Sequence, residues 1–232
     1  MVRATDRIYR ACGLLIGVGL MAVSLLAART EVEGLRLGRA STQMPLWAWD
    51  ASRPAIATGA HARGAGTRRA LLDGCLGAMG SPPPGLVPPV AMHRAALDCA
   101  ALSQQSLRRS PHEATAHLTH ALALIRLDRP ADARKALDRA RPLARADGWS
   151  ARSRLRIAFD PALTDPLAYR GRRSDIKLVS RLNFGPRFLA GLHRTRPPAR
   201  AILLPVLERQ PARVQQAFLR ALVRLADKGR AG

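Results

Sequence analysis

The chain has 232 residues, 47% of them apolar but only 4% aromatic. It is long enough to bury a core, and the composition excludes one built on stacked rings: Leu, Ala and Val must fill it, which favours helices. Thirty-eight Lys and Arg stand against 16 Asp and Glu, a net charge of +22, and only Lys135, Lys177 and Lys228 of the basic residues are lysine. Two readings of the arginines stay open: a partner rich in phosphate or carboxylate, or arginine-rich codon usage that decorates solvated helix faces. The arginines are spread along the whole chain without interleaved aromatics or a nucleic-acid-binding motif, which argues against a dedicated nucleic-acid surface.

In chain order, MVRATDRIYR (1–10) is a short basic lead and ACGLLIGVGLMAVSLLAA (11–28) runs 18 residues without a charge, about 27 Å as a helix. A cleaved signal peptide has the same outline, but Leu25 or Leu26 falls where cleavage wants a small residue, so an uncleaved signal anchor across 11–28 is expected. Arg3, Arg7 and Arg10 before it balance Arg29, Arg36 and Arg39 after it. The dense basic lead then places the N-terminus in the cytoplasm and the rest of the chain outside it, in a bacterial periplasm. Residues 29–66 read as a linker, with Trp47 and Trp49 near the membrane interface. Within it, GAHARGAGTRRA lacks the Gly-Lys-Ser/Thr ending of a phosphate loop.

From Pro111, Leu118, Ala121, Leu122 and Ile125 recur at helical spacing, and Ala133, Ala136, Leu137 and Ala140 do so in a second run. Ser110 with Pro111 reads as an N-cap, Pro130 as the start of the second helix and Gly148 as a stop. With small residues at Ala121, Ala133 and Ala140 and larger ones at Leu124 and Leu137, this hairpin resembles a tetratricopeptide repeat, a helix-turn-helix of about 34 residues. His117 and His120 stand where that family has Trp and Leu, and Arg145 stands where its closing Pro belongs. The resemblance maps Ala133, Leu137 and Ala140 back onto Cys99, Ser103 and Ser106. It implies an earlier unit whose partner helix is TRRALLDGCLGAMG (67–80), displaced by the insertion SPPPGLVPP. In that arrangement Cys75 and Cys99 occupy facing close-contact sites, where a disulfide fits an exported chain; two unrelated buried thiols are the alternative.

Helical repeats are therefore expected over 67–148 and a C-terminal helical region over 149–232. There, Val214, Ala217, Phe218, Ala221, Leu222 and Leu225 form one stripe between Pro211 and Gly229, with Arg213, Arg220 and Arg224 as a solvated face. The fold class expected is all-α: a transmembrane helix followed by an α-solenoid-like domain.

Chemistry leaves few marks. Glu113, His117 and His120 are spaced i, i+4 and i+7, yet HEATAH is not the H-E-x-x-H of a zinc protease, and packed histidines explain it better. There is no G-x-S-x-G and no carboxylate pair in a cleft-like context. No enzyme, metal or cofactor is expected. The resemblance implies an interaction face including His117, His120 and Leu124. The reading is a periplasm-facing scaffold or adaptor for protein partners in the envelope, an accessory of its assembly such as exopolysaccharide biosynthesis or export, with an acidic polysaccharide compatible with the arginines. The alternative is a cytoplasm-facing anchored protein that binds nucleic acid or anionic lipid.

Overall fold

In a computed structural model, residues 16–29, 32, 65–80 and 88–228 are described, and they form an all-α structure with no strand among them. Helix α1 covers residues 16–29. Ile16, Leu20, Met21, Val23 and Leu25 all project from it more than half exposed, so its apolar side chains stand exposed all round. Among the described residues no helix is long and apolar enough to cross a membrane. Residues 11–15 of the expected anchor, the basic lead, Trp47 and Trp49 lie outside the described residues.

The rest comprises α2 (Ala65–Gly80), α3 (Pro89–Arg109), α4 (Ala114–Arg126), α5 (Pro130–Leu143), α6 (Gly148–Ala158), α7 (Arg172–Ser180), α8 (Gly185–Thr195), α9 (Pro197–Leu207) and α10 (Ala212–Lys228). Helix α4 is central: ten of its 13 residues are buried, and it packs against α2, α3, α5 and α6. Its sequence ATAHLTHALALIR allows this because small Ala116, Ala121 and Ala123 let neighbours approach on several sides while Leu118, Leu122 and Leu124 fill the gaps. The turn from α4 to α5 is tight. Asp128 adopts φ 55°, a left-handed conformation that Asp tolerates better than most residues, and the Arg129 N–H reaches back to the Leu124 carbonyl at 2.8 Å.

Two starts differ from the sequence reading. Ser110 closes α3 rather than opening α4; the Glu113 N–H donates to its carbonyl, and Glu113 stands at the N-cap of α4. Gly148 opens a helix instead of stopping one: α5 has already ended at Leu143, and the Asp147 carboxylate caps α6 by accepting from the Trp149 and Ser150 amides. Gly148 gives the Leu182 side chain room to pack against that start, where a Cβ would force it to shift.

The core has two parts that meet at α6. Residues of α2 to α5, with Ile157, Ala158, Leu167 and Tyr169, form one cluster. Ala151, Leu155 and Phe159 turn to the other, completed by Ile176, Val179, Leu189, Leu203 and Phe218. On α10, Val214 and Phe218 are buried and Arg213, Arg220 and Arg224 exposed. Two ion pairs bind the halves together. Arg126 donates to both Asp160 oxygens and to the Met79 carbonyl. Arg154, fully buried, grips Asp175 with two bonds of 2.7 and 2.9 Å, while the Tyr169 hydroxyl donates to the same carboxylate at 2.6 Å. Burial, followed by the adjacent Asp175 charge, pushes the Tyr169 phenol well above its ordinary range.

Candidate functional site

The residues of α4 divide between two opposite faces. At about 100° per residue, Leu122 points some 140 to 160° away from His117, His120 and Leu124. The structure brings those three together on one side, in a groove of about 580 Å³ whose walls are α3 (Gln104, Leu107, Arg108) and α5 (Asp132, Lys135, Ala136, Arg139) with Arg129 just before it. Each wall packs on α4, and the groove is the gap left between them. Its floor is apolar at Leu107, Leu124 and Ala136, and its rims are charged.

That charge is mostly uncompensated. Four cations, Arg108, Arg129, Lys135 and Arg139, share the groove with one carboxylate, Asp132. Asp132 is already engaged by Lys135 at 3.0 Å and Arg129 at 2.7 Å, and those bonds hold its carboxyl below the ordinary range. Among the described residues no carboxylate pairs with Arg108 or Arg139. The two imidazoles are fixed by neighbours: His117 Nε2 lies 3.0 Å from the Pro111 carbonyl oxygen and His120 Nδ1 3.1 Å from the Ser103 hydroxyl. Burial first, and then nearby positive charge, push both below the ordinary value of 6.5. Both rings are therefore neutral at pH 7, and the arginines and Lys135 supply the field. Glu113 does not join them in a metal site, because it accepts from the Ser106 hydroxyl. Among the described residues no cluster of three or more metal-ligating side chains occurs.

The other face of α4 carries a cleft that sequence reasoning missed. Leu122 floors it, α2 walls it with Arg69, Asp73, Leu76, Gly77 and Gly80, and α6 with Trp149, Arg152, Ser153, Arg156 and Ile157. The only local hint is spacing: Arg69 and Asp73 on one helix, and Trp149, Arg152 and Arg156 on another, each fall on one face. Helices α2, α4 and α6 lie side by side here, so His117, His120 and Leu124 do not line the face where these three meet; they belong to the groove beneath α3 and α5.

Cys75 and Cys99 are joined by a disulfide between α2 and α3, with Cα atoms 5.8 Å apart, and both are buried. Ala95, Ala96 and Ala78 around them have no bulk to hold the two backbones apart. The chain matches no protein family, no curated protein and no solved structure. Its site must be read from its own chemistry.

Proposed function

We propose that this chain is a membrane-anchored, tetratricopeptide-like helical adaptor, an accessory of envelope assembly that faces the periplasm and holds an acidic segment of a partner protein in the groove between α3 and α5. The observation that carries the reading is the groove itself. It has an apolar floor and four cations against one already paired carboxylate, the chemistry that takes an acidic segment with apolar side chains. Arg108 and Arg139 present planar donor forks that match carboxylates.

Three observations support the rest. Cys99, Ser103 and Ser106 on α3 and Ala133, Leu137 and Ala140 on α5 are all buried at the same register, in keeping with two related hairpins. A buried disulfide suits an oxidising compartment better than the cytosol. The apolar helix 16–29, exposed all round and preceded by a basic lead, suits an anchor.

The test uses the full chain in lipid nanodiscs and a labelled short peptide of Glu and Asp residues flanking Leu. The peptide is expected to bind with a Kd of about 10 μM and to weaken about tenfold, roughly 1.4 kcal/mol, on Arg139→Glu. Preference for single-stranded DNA or a polyuronate over the peptide refutes the adaptor reading. Orientation is tested separately. Cys75 and Cys99 are joined in a buried disulfide, so in a Cys12→Ser background an exposed Val223→Cys is labelled in whole cells with a membrane-impermeant maleimide after the outer membrane is permeabilised. Labelling only after the inner membrane is opened refutes the periplasmic placement.

A further inference from the structure

The cleft between α2 and α6 lies across α4 from the proposed adaptor groove and is chemically different from it. Its volume is about 470 Å³, within the usual range for small-molecule sites of about 300–1,000 Å³. On the α2 wall Gly80 makes room for the Arg156 guanidinium, whose Nη2 lies 2.5 Å from where a Cβ would stand, and Leu122, Leu76, Ile157 and Trp149 make the cleft partly apolar. Arg69, Arg152 and Arg156 line this space.

Their states differ. Arg69 lies over the Trp149 ring at 5.6 Å and 3.5 Å from Asp73. Arg152 stacks on Phe184 and Phe188 at 5.2 and 5.3 Å. Stacking occupies the face of a guanidinium and leaves its edge of N–H donors for an acceptor in its plane. Arg156 follows one turn later on the same side of α6, about 6 Å away by helix geometry. Burial, then the like charges of Arg152 and Arg126, push its guanidinium below the ordinary range, against the opposing charge of Asp160. That is the electrostatic setting an incoming anion relieves.

The carboxylates point to the other half of a ligand. Asp160 is saturated by Arg126 and the Ala162 amide. Asp73 is not: its side chain is one-third exposed and its ion pair with Arg69 spans 3.5 Å, too long for a strong hydrogen bond, and burial raises the carboxyl above its ordinary value, against the lowering pull of Arg69. A half-buried carboxylate held this loosely has acceptor capacity left for a donor in the cleft.

We propose that this cleft binds a compact ligand carrying a carboxylate or phosphate beside a hydrogen-bond donor, with the anion at Arg152 and Arg156 and the donor, a hydroxyl or an ammonium, at Asp73. Two sources share this chemistry, an acidic sugar and an amino-phosphate headgroup, and the probes separate them. Titration calorimetry on the full chain in nanodiscs made of phosphatidylcholine alone uses glucuronate, O-phosphoethanolamine, inorganic phosphate and glucose. Glucuronate or O-phosphoethanolamine is expected to bind with a Kd near 1 mM or tighter, and glucose, which lacks the anion, is not. Arg152→Met removes an exposed side chain and is expected to weaken the ligand at least about tenfold. Asp73→Asn is expected to weaken it while leaving phosphate unchanged or tighter, because a repelling charge is gone. Arg139→Glu, across α4, is expected to change none of these affinities, so failure here is distinct from failure of the acidic-peptide groove. Binding by none of the probes, or binding that Arg152→Met leaves intact in a chain with an unchanged circular dichroism spectrum, overturns the proposal. Equal affinities for inorganic phosphate and O-phosphoethanolamine overturn the part given to Asp73.

Discussion

Asp175→Ala tests the physical account of the fold most directly. Asp175 is fully buried and accepts two bonds from fully buried Arg154 and one from the Tyr169 hydroxyl, with Arg141 Nε at 3.2 Å from its other oxygen. Truncation leaves Arg154 charged, with the Ala144 carbonyl as its remaining acceptor among the described residues, and Tyr169 without its acceptor. Arg141 is partly exposed and turns toward water. Removing one partner of a buried pair costs about 3 to 5 kcal/mol, and domains of this kind are stable by only about 5 to 15 kcal/mol. The loss is therefore a large part of the whole. Urea unfolding of the full chain in detergent, followed by far-ultraviolet circular dichroism, should show the midpoint fall at unchanged slope. The decisive comparison is the triple replacement Arg154→Met, Tyr169→Phe, Asp175→Leu. It leaves no orphaned polar group and should recover most of the loss, since apolar replacement of a buried pair is commonly neutral or stabilising. A loss below about 1 kcal/mol for Asp175→Ala, or a triple variant no better than the single, refutes the reasoning.

The remaining predictions can be measured in the same assay. Reducing the Cys75–Cys99 bridge, which closes a sequence separation of 24, should cost about 3.5 kcal/mol by the chain-entropy account; an unchanged midpoint in reductant, with both thiols shown to be free, refutes it. Phe218→Ala should cost about 3 to 5 kcal/mol, because the side chain is 4% exposed in the second core, while neighbouring Leu219→Ala, at 57% exposed, should change stability by less than about 0.5 kcal/mol. Similar losses at both would mean that α10 is rotated. Because His117 and His120 titrate below 6.5 when folded, the unfolded chain binds their protons first. Their contribution is intact above pH 6.5 and declines as pH falls from there through the folded values. His117→Gln with His120→Gln should flatten that acid limb, and an identical pH profile in wild type and double variant counts against it.

The parts legible in the sequence were those with local signals. Pro130 opens α5 as read, since its missing N–H costs nothing at a first helical turn. The stripe on α10 turns inward, buried at Val214 and Phe218 and half-buried at Ala217, Ala221, Leu222 and Leu225, because an amphipathic period states its own inner face. The stop read at Gly148 failed because a glycine after a polar run looks the same whether a helix ends before it or begins at it. Asp147 with Ser150 three residues on was the capping signal that decided the matter.

What the sequence determined by itself is the helical class and the inward stripe of each amphipathic helix, since both follow from composition and from a period of 3.6 residues. Tertiary structure alone decided what each face of α4 meets. That helix is buried on nearly every side, so its pattern carries little directional information. The helical period sets Leu122 opposite His117, His120 and Leu124, but only the docking of α3 and α5 on one flank and of α2 and α6 on the other decides what each side meets. The same docking gathered Arg69, Trp149, Arg152 and Arg156 at one cleft. Two distant helices are brought together there by the burial of a third between them, and no local period encodes that.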